Sequence, residues 1–140
     1  MSTSYLLDTN IVSLALKGRA PVARQRMAAT PSDRLAISII TAMELRFGLQ
    51  RSPEATRARA VVEPFLSTVH VSSLPEGIPE TYGRVRADLE RRGRPIGPLD
   101  TIIAAHALTL GWTLVTANLS EFRRVAGLRC EDWTRERRRR

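Results

Sequence analysis

A chain of 140 residues is the length of one domain with a sizeable core, and 43% hydrophobic against 26% charged residues is an ordinary globular composition. A single cysteine, Cys130, excludes a disulfide framework and a thiolate metal cluster, and no apolar run reaches the roughly 20 residues that span a bilayer. The net charge of +8 turns attention to a polyanionic partner, nucleic acid above all.

The opening residues Met1-Ser2-Thr3-Ser4 lack the basic region and long apolar stretch of a signal peptide, so a cytoplasmic location is expected. Tyr5–Leu7 reads as a short buried strand, and a helix is expected from Asn10 to Lys17, stopped by Gly18. A second helix is expected from Pro21 to Ala29, with proline in its first turn. Leu35–Ile39 reads as a strand, Thr41–Gln50 and Glu54–Leu66 as helices, and Val69–Ser72 as a third strand. The spacing of Tyr82, Val85 and Leu89 predicts an amphipathic helix over Pro79–Arg92. Pro98–Leu110 is the most apolar helix and Trp112–Thr116 a fourth strand. A helical turn over Ser120–Val125 then leads to a weak last strand at Leu128–Cys130. The tail from Thr134 to Arg140 holds five arginines and one glutamate and reads as a flexible basic extension of a domain spanning residues 1–133.

Strands alternating with helices, with no hairpin signal, predict an α/β fold with a mostly parallel sheet covered on both faces. Ligands of such sheets bind at the carboxyl ends of the strands. Asp8, Ser38 and Asn118 fall at or just beyond such ends.

Three acids draw notice there, and each has an ordinary explanation. Asp8 in Asp8-Thr9-Asn10 can cap a helix. Glu44 completes the capping-box pattern Thr41-Ala42-Met43-Glu44. Asp100 lies in the first turn of its helix, where the helix dipole favours a carboxylate. Taken together they share one sheet edge. Carboxylates converging without a cation would repel one another, so the grouping points to a hard divalent metal, Mg²⁺ or Mn²⁺. An acid cluster on a basic body is the economical pattern of a metal-dependent nuclease.

The segments "YLLDTNIVS", "ISIITAMELRFGL", "GPLDTIIAAHAL" and "LVTANLSEFRRVAGLRCEDW", in this order and spacing over residues 5–133, resemble the PIN-domain toxins of the VapC family. The resemblance implies a three-layer α/β/α sandwich, usually dimeric. It implies an Mg²⁺-dependent endoribonuclease, the toxin of a type II toxin–antitoxin pair, neutralised by a VapB-type antitoxin, with transfer RNA as a reasonable substrate. Matched by position, the family's acidic site falls on Asp8, Glu44 and Asp100, with Asp8 and Asp100 as the most constant metal ligands. The fourth catalytic position is Asn118, where many members have Asp. An amide there brings no charge, which puts a second tightly held metal in doubt and suggests Glu121, one turn on, as compensation. Hydrolysis by metal-activated water, leaving 5′-phosphate and 3′-hydroxyl ends, is the implied reaction.

Around these acids, Thr9, Asn10, Ser38 and Thr116 are placed to orient carboxylates or metal-bound waters. Arg46 and Arg86 are candidate phosphate contacts, and Arg91, Arg92 and Arg94 crowd the loop before "GPLD". His106 falls on another side of its helix from Asp100, and His70 has no visible partner, so neither is expected to act as ligand or base. Trp133 and Phe122 are expected to anchor the C-terminal segment.

Two other α/β families with an acid after the first strand are excluded by lysine: a phosphoaspartyl phosphatase and a two-component receiver both need one downstream, and Lys17 is the only lysine. The remaining alternatives are a PIN nuclease outside a toxin pair and a non-enzymatic RNA- or protein-binding module with a degraded site.

Overall fold

The structure is a computed structural model and describes residues 2–136; the expected tail therefore lies partly outside the described residues. Its elements are β1 (Tyr5–Leu7), α1 (Thr9–Leu16), α2 (Pro21–Ala29), β2 (Leu35–Ser38), α3 (Ile39–Arg51) and α4 (Thr56–Thr68). They continue with β3 (His70–Ser72), α5 (Ile78–Arg91), α6 (Pro98–Leu110), β4 (Thr113–Val115), α7 (Leu119–Phe122) and β5 (Cys130–Glu131). The five strands form one sheet in the order β3-β2-β1-β4-β5, and every pairing is parallel.

The two-residue period of the strands divides the core into two layers. Leu6, Ala36 and Leu114 point to one face, where Val85 and Leu89 of α5 and Ile103, Ala104 and Ala107 of α6 cover them. Leu7, Ile37 and Val115 point to the other, packed against Ile11 and Val12 of α1, Ala23 of α2, Leu45 and Leu49 of α3 and Val62 of α4. This is the three-layer sandwich that the sequence implied. Trp133 and Phe122 are both 1% exposed and anchor the C-terminal segment, Trp133 edge-on to Tyr5 with Arg26 stacked over its ring.

The chain runs from β1 outward through β2 to β3 and then returns to the far side of β1 as β4. The strand order reverses between β1 and β4, and in open α/β sheets the crevice at that point is where ligands bind. Leu7 lies level with Ile37 and Val115, so the next residue of each strand, Asp8, Ser38 and Thr116, lies level too. By the same period all three side chains turn toward the α5–α6 layer.

Several boundaries differ from expectation, and one matters for the site. The expected Thr41–Gln50 helix begins two residues earlier, because Ser38 ends β2 and caps α3 at once, its Oγ accepting from Ile40 N at 3.1 Å. The capping-box explanation of Glu44 therefore does not hold: Thr41 is a buried interior residue and Glu44 sits in the second turn. On α5 the buried stripe is Thr81, Val85 and Leu89, with Tyr82 half-buried at its margin.

Candidate active site

Asp8 leaves β1 directly into α1 and is 2% exposed. Its Oδ1 accepts from Ile11 N at 2.8 Å, so it does cap the helix. Burial pushes its carboxyl up to about 6; hydrogen bonds from Thr116 and the Ile11 backbone oppose this, and the charges of Asp100 and Glu44 add to it. Asp100 is half-buried in the first turn of α6 and makes no hydrogen bond or ion pair with the described residues. Burial again raises its carboxyl, followed by the charges of Glu121 and Glu44. Glu44 is held by the Thr9 hydroxyl, which donates to its Oε1 at 2.6 Å and lies 3.0 Å from Thr41 Oγ1.

Asn118 holds its place differently from expectation. Its Nδ2 donates to Glu121 Oε2 at 2.6 Å, its Oδ1 accepts from Ser120 Oγ at 3.2 Å, and its backbone N–H donates to Thr116 Oγ1 at 2.9 Å. The amide thus serves to fix Glu121, and Glu121 is the acid that bears most on Asp100. A fourth negative charge does reach the site, from α7's interior rather than from the strand end.

Thr9 touches Glu44 and Thr116 touches Asp8. Asn10 does not: it is exposed, and its side chain makes no hydrogen bond among the described residues, because it follows Asp8 into the outer face of α1. Arg46 is engaged by Glu63 of α4. Arg86 is engaged by Glu90 at 3.0 Å and by the Tyr82 hydroxyl at 3.0 Å, within its own helix. Both are half-exposed surface pairs. Arg91 and Arg92 pair with Asp88 in the same way. His70 is exposed, and the buried ring of His106 turns to Ser38 and Ser72, so neither histidine joins the acids.

Among the described residues, Asp8, Glu44, Asp100 and Glu121 form no ion pair with any arginine or lysine, in a protein with 22 basic residues against 14 acidic ones. Neighbouring acids add to the raised carboxyls of Asp8 and Asp100, and in a basic protein such a grouping is a site kept open for a different positive charge. The donor set is all oxygen, which suits a hard divalent cation. No group of three or more His, Cys, Asp or Glu side chains among the described residues is drawn together tightly enough to cage an ion. The fit is therefore to a cation held by one or two carboxylates and completed by water, the usual manner of Mg²⁺.

The PIN domain family profile matches residues 5–128. The tRNA(fMet)-specific endonuclease VapC of Shigella flexneri is 40% identical over 130 residues, covering 93% of this chain and 98% of that one. Ribonuclease VapC1 of Haemophilus influenzae strain R2866 is 39% identical over 135 residues, covering 94% and 98%. The DNA-bound VapBC crystal structure from Salmonella typhimurium superposes with a TM-score of 0.85 at 39% identity, covering 94% of this chain and 99% of that chain. On the ordered acids, the strand order and these full-length similarities, the chain belongs to the VapC family of PIN-domain proteins.

Proposed function

We propose that the protein is an Mg²⁺-dependent endoribonuclease, with Mn²⁺ as a possible substitute, and the toxin of a type II toxin–antitoxin pair. The observation that carries the site is the set of four acids that, among the described residues, have no ion-pair partner at the β1–β4 reversal. Asp8 and Asp100 would hold the cation, Glu44 would assist under the hold of Thr9, and Asn118 fixes Glu121, whose charge bears on Asp100. The chemistry a bound divalent cation supplies there is activation of water and neutralisation of charge on the phosphate. Hydrolysis breaks the P–O3′ bond and leaves 5′-phosphate and 3′-hydroxyl ends. Because Asn118 brings no charge at the strand end and Glu121 is engaged by its amide, the protein's own carboxylates would hold one cation, and a second would need the substrate phosphate as a further ligand.

The substrate class is RNA, with transfer RNA favoured by the name of the Shigella relative. The partner is a VapB-type antitoxin, as in the VapBC complexes of similar fold. Residues 1–133 form the nuclease unit, supported by Trp133 as the last side chain of the core. A cytoplasmic location fits such an activity, and no helix among the described residues is long and apolar enough to cross a membrane.

The test is RNA cleavage in Mg²⁺ by the parent and by Asp8→Ala and Asp100→Ala. Losses of about 100-fold or more in kcat are expected, the scale of removing a major electrostatic stabiliser. Cleavage by both variants at the parent rate would sink the catalytic reading and favour a binding module.

A homodimer is part of this reading. Ile39, Met43 and Phe47 recur every four residues along α3 and are 37%, 57% and 65% exposed, with Ala42, Leu66 and Val71 beside them. Phe47→Lys is expected to lower the mass seen by light scattering to that of a monomer. An unchanged dimer mass would place the interface elsewhere.

A further inference from the structure

His106 is fully buried in the middle of α6, the helix that opens with Asp100. Its Nδ1 lies 2.9 Å from Ser38 Oγ and its Nε2 3.1 Å from Ser72 Oγ. The two serines are register partners at the carboxyl ends of β2 and β3, so one ring from α6 fastens two neighbouring strand ends. Both hydroxyls have second partners that set the direction of the chain. Ser38 Oγ already accepts from Ile40 N at 3.1 Å, and the Ser72 hydroxyl reaches Ser73 O at 3.2 Å.

Only one arrangement uses every proton. Ile40 N–H donates to Ser38, the Ser38 hydroxyl to Nδ1, Nε2–H to Ser72, and the Ser72 hydroxyl to the Ser73 carbonyl. In the opposite tautomer Nδ1–H would donate to Ser38, and the Ser38 hydroxyl would have no acceptor among these groups. A buried donor without an acceptor costs about 1–3 kcal/mol, which selects the neutral Nε2–H form. Burial, which lowers this imidazole to about 4, keeps the ring neutral at physiological pH.

Ser38 is the N-cap of α3, and Glu44 stands six residues further along that helix. The relay therefore ties the helix that carries Asp100 to the start of the helix that carries Glu44, beside the strand that ends in Asp8. We propose that His106, as its Nε2–H tautomer, is a positioning residue for the carboxylate site, acting through Ser38 on the placement of Glu44 relative to Asp100. The proposal rests on the metal-site reading above.

The two ring nitrogens can be removed separately. In His106→Asn the amide oxygen takes the place of Nδ1 and keeps the acceptor for Ser38, whereas His106→Gln offers an amide N–H to Ser72 and gives up that acceptor. The probe is Mn²⁺ alone, titrated into the full chain by calorimetry, alongside the kcat of RNA cleavage and the melting temperature. His106→Gln and Ser38→Ala are expected to weaken Mn²⁺ binding and lower kcat by about tenfold, the lower end for groups that orient metal ligands. His106→Asn is expected to recover most of both. If His106→Gln and Ser38→Ala melt earlier but bind Mn²⁺ and turn over within about twofold of the parent, the relay only stabilises the fold and the proposal is overturned. The same holds if His106→Asn is as impaired as His106→Gln. A parent that binds Mn²⁺ but cleaves no RNA would defeat the nuclease reading instead, while the Mn²⁺ affinities would still decide the role of His106.

Discussion

At Asp8 one carboxylate both caps α1 and carries a charge that its surroundings penalise. The cap was legible in the sequence, and the structure keeps it. The penalty was not, because burial to 2% exposure and the nearness of Asp100 and Glu44 depend on which strands end side by side. It has a consequence for stability. The folded chain holds the Asp8 proton up to about 6, against 3.8 for the free side chain, so the folded state binds more protons than the unfolded one between those values. Stability without metal must therefore fall as the pH rises from about 4 to about 6. Above that range the deficit is complete, about 3 kcal/mol from the size of the shift. Asp8→Asn retains a good capping side chain and removes the charge. Calorimetry of the metal-free proteins is expected to show the variant melting several degrees above the parent at pH 7.5, with the gain gone near pH 3.5. An equal melting temperature at pH 7.5 would mean that the Asp8 carboxylate is not under strain.

Between Thr116 and Phe122, the strand end β4 and the short helix α7 act as one element, and here the sequence and the structure part company. Position matching singled out Asn118 as the fourth site residue and left Glu121 as a possible substitute. Distances reverse the emphasis, since the amide is spent on Glu121 at 2.6 Å. A similar blind spot hid the true start of α3. Ser38 is both the last residue of a strand and the cap of the next helix, so no loop separates them and the capping pattern visible in the sequence falls on Thr41. The long apolar helix α6 and the proline-led α2 were read to the residue, because their punctuation is local: Pro at the start of both, and for α6 a terminal Gly111 at φ 72°. Replacing Asn118 by the acid common in the family should not improve this site. In Asn118→Asp two carboxylates face each other where a donor now meets an acceptor. The metal-free variant is expected to lose roughly 1–2 kcal/mol of stability. Saturating Mn²⁺ should recover the loss, as read from melts with and without the ion. A variant as stable as the parent without metal would show that Asn118 does not hold Glu121.

Across the whole molecule, the division of charge is the feature that composition could announce but not locate. Surface acids such as Glu63, Asp88, Glu90 and Glu131 are paired with arginines, whereas among the described residues the four acids at the sheet edge are not. The parallel sheet and the edge on which the acids lie followed from strand–helix alternation. The register that sets Asp8 level with Ser38 and Thr116, and the relay through His106, came only with the coordinates, since they join residues 30 to 108 positions apart. Hydrolysis of RNA at this edge with a divalent cation is tested most directly by end-group analysis of a cleaved RNA. The purified protein is expected to cut a labelled transfer RNA in Mg²⁺ and to stop in chelator, leaving a 5′-phosphate on the downstream fragment and a 3′-hydroxyl on the upstream one. A 2′,3′-cyclic phosphate would mean that the RNA's own 2′-hydroxyl attacks, and undiminished cleavage in chelator that no divalent cation takes part; either would contradict hydrolysis by metal-activated water at these acids.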